Sequence, residues 1–228
     1  MIAPPDPPDL PAPATGSGVP EALLRSVVAH YEHQLATHGP TARGMDWKDE
    51  ASQRLRFEVL CDLCNLDGLE LHEVGAGAGH LLDFLRERGV RARYSGSDLS
   101  PAMVESARAR HPGVDFERRD LLAEAPARRY DVVVCSGLFH VKLEHSPETW
   151  RHFVQEMLRR MFAMCRVGIA FNLMSDHVDF RAPNLYYAPV AETLDFCRQE
   201  LSRFVSVRHD YPLHEYTTYV YREARRAE

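Results

Sequence analysis

The chain has 228 residues, 45% of them hydrophobic, which suits one large domain or a domain with an appendage. Its formal net charge is −6, with acids and bases interspersed, which argues against a general attraction to nucleic acid. No apolar run approaches the roughly 20 residues of a membrane span, and no basic stretch leads into an apolar block at the N-terminus. Five cysteines without framework spacing fit a reducing cytoplasm.

Residues 1–20 are mostly Pro, Ala, Gly and Asp, a composition that predicts a disordered tail. Order is expected from Glu21. Leu23, Leu24, Val27, Val28, Tyr31 and Leu35 follow at helical spacing. A Gly/Pro-bearing loop comes next, then a second helix over 49–64 with Leu55, Val59, Leu60 and Leu63 on one face. Cys61 and Cys64 have the spacing of a metal or redox pair, but no second cysteine pair follows, and they read as two helix-buried thiols. Residues 21–66 are expected to form a helical lid, and 67–228 the main domain.

From Leu69 the pattern alternates. Strand-like segments are LELHEV, ARYSGSD, VDFERR, YDVVVCS, VGIAFNL, FVSVRHD and EYTTYVYR. Between them, Ser100-Pro101 and Ser146-Pro147 start helices, each an N-cap followed by proline at the first helical position. Trp150, Phe153, Val154, Met157, Leu158, Met161 and Phe162 keep helical spacing after Ser146, and a further helix over 188–201 turns Val190, Leu194, Cys197 and Leu201 inward. Alternation predicts a parallel sheet covered by helices on both faces. Only YPLH separates the last two strands, too short for a parallel crossover, so they form an antiparallel hairpin.

The stretch LHEVGAGAGHLLDF runs a strand through Gly75, Gly77 and Gly79 into a helix, where free backbone N–H groups and the helix dipole can meet a ligand. A tight turn without a ligand would also use glycine. A dinucleotide fingerprint needs glycine at position 80, which is His80, and a P-loop needs a Gly-Lys-Ser/Thr ending, which is missing. The spacing is E-x-G-x-G-x-G, with Glu73 two residues before the first glycine.

This pattern resembles motif I of the class I S-adenosylmethionine-dependent methyltransferases. The likeness continues in Asp98 at the end of the second strand, Asp120 after the third, YDVVVCSGLFH as the fourth, and the terminal hairpin. It implies a Rossmann-like seven-stranded, mostly parallel sheet with an antiparallel last strand, an N-terminal helical lid, and S-adenosylmethionine as cofactor. It also implies cofactor contacts at Glu73, Gly75, Ala76 and Gly77, at Asp98 for the ribose, at Asp120 or the adjoining Leu121 backbone for the adenine, and at Leu99 and Ser136. Tyr31, Trp47 and Arg56 would reach the cofactor from the lid, with Arg56 pairing its carboxylate; the same residues also fit a helix packed across the sheet. The segments GMDWKDEASQRLRFEVL and RHDYPLHEYTTYVYR resemble a narrower bacterial group of small methyltransferases, without bringing a substrate.

Methyl transfer is an in-line displacement, and an alcohol acceptor also needs a base. His140, at the cofactor mouth, is one candidate, though it could equally pack or cap the next segment. His209 with Asp210 as orienter is another, against a plain polar hairpin corner. SGLFH replaces the Asn/Asp-Pro-Pro-aromatic motif of enzymes acting on amide or nucleobase nitrogen. The segment Met174 to Tyr187 is expected to wall the substrate side, with Tyr186 and Tyr187 as contacts. Asp176 and His177 lack a defined third ligand, and no metal is expected. The expected activity is O- or N-methylation of a small molecule in specialised metabolism by a monomer or homodimer, without nucleic-acid or membrane partners. The alternatives are a protein- or RNA-directed methyltransferase and a non-catalytic S-adenosylmethionine-binding protein.

Overall fold

The computed structural model describes residues 17–124 and 128–225. The tail expected over 1–20 therefore lies outside the described residues as far as residue 16. The chain builds α1 (Glu21–His38), a single 3₁₀ turn (Arg43–Met45), α2 (Glu50–Cys61), β1 (Glu70–Val74), α3 (His80–Glu87), β2 (Arg93–Asp98), α4 (Pro101–Arg110), β3 (Asp115–Arg118) and β4 (Tyr130–Cys135). It continues with α5 (Pro147–Met164), β5 (Cys165–Ser175), β6 (Tyr187–Ala188), α6 (Val190–Phe196), β7 (Phe204–Arg208) and β8 (Glu215–Tyr221).

Helix starts follow side-chain capping. Asp49, Ser100 and Ser146 each accept a backbone N–H three residues on, at 2.7, 3.2 and 3.2 Å, which satisfies one orphan donor of the first turn. Pro101 and Pro147 occupy first-turn positions, as the sequence predicts. Helix α1 stops where Gly39 takes a φ of +67° and its N–H closes on Leu35 O at 2.8 Å.

The sheet order is β3-β2-β1-β4-β5-β8-β7, with β6 paired to β5. The strands β1 to β5 run parallel, whereas β8 is antiparallel to both β5 and β7. The expected terminal hairpin is present, and its second strand inserts between β5 and β7. Strand β4 is almost continuously apolar because helices cover it on both faces: Val133 and Cys135 join one core with α1 and α5, and Val132 and Val134 join another with α2 and α3. Strand β8 is buried along its whole length. Its tyrosines satisfy their hydroxyls on either face: Tyr221 donates to Leu63 O (3.2 Å) and Tyr219 to Val59 O, while Tyr216 lies 2.7 Å from Thr193 Oγ1.

Three local expectations change. Helix α2 ends at Cys61 rather than 64, so Cys64 lies in the following turn and both thiols are half-buried; burial pushes Cys61 up to about 12. The helix expected over 188–201 breaks into α6 and a π-turn at Cys197–Leu201, which carries the chain toward β7. An eighth, two-residue strand, β6, joins the seven expected. The 21–66 segment shares cores with the sheet: Leu23 and Val27 of α1 pack with Phe139, Trp150 and Phe153, and Phe57 and Leu60 of α2 with Leu71 and Tyr219.

His72 of β1 is fully buried, with Nδ1 and Nε2 each 2.9 Å from a hydroxyl, of Ser95 and Ser97, and its ring stacked 4.2 Å from Tyr130. Burial is the main cause that pushes its pKa down from 6.5 to about 3. The folded state thus stays neutral where the unfolded chain takes up a proton, so stability falls as pH drops below 6.5. Between pH 7 and pH 5 the wild type should lose about 2 kcal/mol more than His72→Phe, measured by urea unfolding at each pH. Equal losses would show that another group carries the proton uptake.

Candidate functional site

The loop from β1 to α3 forms the floor of a cavity at the carboxyl ends of β1, β2 and β4, the position where open α/β sheets take their ligands. The space measures about 1040 Å³ counted out to its mouth. Gly75, Gly77 and Gly79 have φ of +71°, +52° and +79°, a region other residues rarely adopt. The N–H groups of Gly75 and Ala76 both bond Ser97 O, at 2.8 and 3.0 Å, which ties the loop to β2. A Cβ on Gly77 would stand 2.7 Å from Met45 Sδ and would push that thioether aside.

Three carboxyl groups line the cavity, those of Asp98, Glu73 and Asp120. Asp98 Oδ2 accepts the Gly77 N–H at 3.0 Å and Oδ1 accepts that of Ser100 at 2.9 Å. Burial raises its pKa, and these backbone bonds hold it back. Glu73 is 3% exposed and accepts a hydrogen bond from the Tyr94 hydroxyl; burial pushes it up to about 8. Further round, Asp120 Oδ1 accepts the N–H groups of Leu122 (2.9 Å) and Ala123 (3.2 Å), shaping the turn that presents Leu121 and Leu122 to the cavity. Ser136 lines it after β4 with a buried Oγ that has no hydrogen-bond partner among the described residues.

The roof comes from α1 and the turn before α2. Leu24, Val27, Val28 and Tyr31 face in from α1, and Met45 and Trp47 from the turn. Met45 Sδ accepts the Ala78 N–H at 3.4 Å. The turn is held by Asp46, a non-glycine residue at φ +60°, whose carboxylate lies 2.8 Å from His30 Nε2 and 3.3 Å from Gln34 Nε2 on α1. His80, at the start of α3, reaches Pro40 O at 3.2 Å and Gln53 at 3.4 Å, joining the floor to this roof.

Among the residues expected at a cofactor, Tyr31, Trp47, Glu73, Gly75, Ala76, Gly77, Asp98, Leu99, Asp120, Leu121 and Ser136 all line this one cavity. Arg56 does not: its Nε donates to Glu215 Oε2 at 2.9 Å, and its guanidinium stacks 4.2 Å from the Trp47 ring. His140 is buried behind Trp47, ring to ring at 5.7 Å, and does not reach the cavity wall. Burial pushes its pKa down to about 4. His209 and Asp210 are exposed at the β7–β8 turn, where Asp210 pairs with Arg208 at 2.8 Å rather than with His209. Tyr186 and Tyr187 do not line the cavity either; the Tyr187 hydroxyl accepts the Ala182 N–H at 2.8 Å. Among the described residues no group of three His, Cys, Asp or Glu could hold a metal ion, and no helix is long and apolar enough to cross a membrane. Sequence reasoning missed Met45, Gln53, Leu122 and Leu138 as lining residues. It read Leu24, Val27, Phe153 and Met157 as core, which their helical spacing alone indicates.

The family model for a methyltransferase domain matches residues 72–164, which includes the glycine loop, Asp98, Asp120 and Ser136. The Mycobacterium tuberculosis protein Rv1506c, which is named as a methyltransferase, is 34% identical over 159 residues, covering 68% of this chain and 93% of that one. A trans-aconitate 2-methyltransferase from Azoarcus sp. is 34% identical over 110 residues, and the match spans less than half of its length (42%) and 47% of this chain. In three dimensions the N-methyltransferase NodS from Bradyrhizobium japonicum, solved with S-adenosyl-L-homocysteine, superposes with a TM-score of 0.60 at 16% identity, covering 86% of this chain and 97% of that one. Motif, topology and relatives agree, and the chain belongs to the class I S-adenosylmethionine-dependent methyltransferases, as an enzyme with S-adenosylmethionine as its cofactor.

Proposed function

We propose that the enzyme transfers a methyl group to an oxygen or nitrogen of a small molecule. The observation that carries this reading is the lining of the site: α1 and a tight turn roof it with Leu24, Val28, Tyr31 and Trp47, and among the described residues Arg119 is the one Lys or Arg in its wall. A folded protein or an RNA needs an open, charged approach. The net charge of −6 points the same way. Among the relatives, one is named for trans-aconitate, a small acid, and one structural neighbour is an N-methyltransferase.

The residues present fit the cofactor. Glycines at positive φ bring backbone to the cavity floor, Asp98 offers a carboxylate suited to vicinal hydroxyls, and Ser136 Oγ is a spare polar atom in the wall. Gly75, Gly77 and Glu73 would hold the amino-acid end, Asp98 and Leu99 the ribose, and Asp120, Leu121 and Leu122 the adenine. When bound, S-adenosylmethionine supplies a methyl group on a positively charged sulfur. The protein's own work is to align the acceptor with that methyl, to keep water out with the α1 roof, and to take up the acceptor's proton.

Asp98→Ala should weaken S-adenosylhomocysteine binding about ten- to a hundredfold, the range of hydrogen bonds to a charged group, as read by calorimetry. Glu73 offers a second measurement. With a pKa near 8 it is mostly protonated at pH 7, and a cation brought beside it favours the ionised form. Binding of S-adenosylmethionine at pH 7 should therefore release protons, measured in buffers of different ionisation heat, and Glu73→Gln should abolish the release. The function itself is tested with methyl-labelled S-adenosylmethionine and panels of phenols, carboxylic acids and amines. Turnover of one class supports the reading, whereas label appearing only in protein or RNA of a cell extract overturns it.

A further inference from the structure

Gln53 stands on the buried stripe of α2, one turn before Phe57 and two before Leu60, where the fold otherwise places apolar side chains. It is 4% exposed, and it lines the cofactor cavity together with Phe57 and His80. The same three residues line a second groove on the outer side, so they form the partition that ends the cavity where the glycine loop enters α3. The His80 ring holds one end of the Gln53 amide. Burial pushes the ring's pKa below 6.5, which keeps it neutral at pH 7, and Nε2, facing Pro40 O at 3.2 Å, carries its proton. Nδ1 is then the acceptor for Gln53 Nε2 at 3.4 Å. The second N–H of that amide and its Oε1 have no hydrogen-bond partner among the described residues.

A buried amide with one long hydrogen bond is a cost that an apolar side chain at this position would not carry. The cofactor brings a group in need of such a donor, the carboxylate of its amino-acid end. No basic side chain in the cavity wall is placed to meet it. Arg56 is committed to Glu215 at 2.9 Å, and Arg119 lies beyond Asp98, next to Asp120 at the adenine end. Neutral donors remain. Within the loop, the N–H groups of Gly75 and Ala76 bond Ser97 O, that of Gly77 bonds Asp98, and that of Gly79 bonds Ala76 O at 2.9 Å. Ala78 N–H alone lacks an oxygen: it meets Met45 Sδ at 3.4 Å, a weak acceptor that a carboxylate outcompetes. Helix α3 starts beside these donors without a side-chain cap, so the positive end of its dipole adds to them.

We propose that Gln53 binds the carboxylate of S-adenosylmethionine, donating the free N–H of its amide while Ala78 N–H supplies a second bond as the Met45 thioether gives way. The proposal rests on the placement of the amino-acid end over the glycine loop given above, and it is independent of which acceptor is methylated. It moves the carboxylate contact from Arg56, which the sequence suggests, to a neutral residue three positions earlier on the same helix. Arg56 is thereby left to its other task, bracing Trp47 in the roof through the stack at 4.2 Å. Flexible Met45 fits the part of a placeholder, since an unbranched thioether repacks at little cost.

The test is calorimetry with two ligands, S-adenosylhomocysteine and its decarboxylated analogue, which keeps the sulfur and the amine. The wild type should bind the analogue about tenfold or more weakly, the worth of hydrogen bonds to a charged group. Gln53→Leu should cut S-adenosylhomocysteine affinity about tenfold and leave the analogue within about twofold. Gln53→Glu keeps the side chain's size and sets a carboxylate against a carboxylate. It should weaken S-adenosylhomocysteine about a hundredfold yet hold or strengthen the analogue, whose one charge is positive. This opposite response carries the test if Gln53→Leu fails to fold. Equal wild-type affinity for the two ligands would overturn the proposal without any variant. So would a folded variant that loses both ligands in parallel, the mark of a packing role, or one that binds S-adenosylhomocysteine as before. A wild type that binds neither ligand would instead overturn the cofactor placement itself, and it would show before any variant was made.

Discussion

Two carboxyl groups, Glu73 and Asp98, share one desolvated cavity, and among the described residues neither forms an ion pair with a basic side chain. Backbone amides of Gly77 and Ser100 hold Asp98, and a tyrosine hydroxyl holds Glu73. Such an arrangement is costly without a partner of positive charge or a set of hydroxyl donors. The architecture around it follows from that constraint. Glycines at positive φ bring amides to the carboxylate, Ser97 O anchors them to β2, and the α1 roof keeps the local dielectric low. A ligand with a positively charged end and vicinal hydroxyls meets each of these needs.

The roof and the sheet are one mechanical unit. Asp46 ties the turn that carries Met45 and Trp47 to α1, and His80 joins that turn to the glycine floor. Leu23 reaches down into the main core, Val27 shares that core and the cavity wall, and Leu24 and Val28 line the cavity. One helix thus packs the fold on one stripe and encloses the ligand on the next. The wall of the cavity and the stability of the fold are linked through α1 as well as through the loop.

Much of this was legible in the chain. Capping serines followed by proline, the glycine spacing after Glu73, acids at the ends of β2 and β3, and a final linker too short for a crossover are local signals, and each fixed a local feature. Features that arise from distant contacts were not. Nothing in the sequence of α6 marks its passage into a π-turn, because that turn depends on where β7 must start. Arg56 and Glu215 stand 159 positions apart, so their pairing was invisible and Arg56 was assigned to the cofactor. His209 and Asp210 look like a base and its orienter in the sequence, but adjacent residues on an extended chain diverge, and Arg208 takes the carboxylate. Met45 carried no signal because a thioether in a loop has no recognisable pattern.

Strand β8 lies inside the sheet although it comes after all the other strands in chain order. Until it inserts between β5 and β7, the strands and helices around it can form only a split sheet with two unsatisfied edges. During synthesis the cofactor loop is complete more than a hundred residues before Glu215 is made. The nascent chain therefore carries its whole glycine loop well before the strand that closes the sheet between β5 and β7 has been made. Synthesis thus supplies the ligand-facing loop first and the strand that completes the core last.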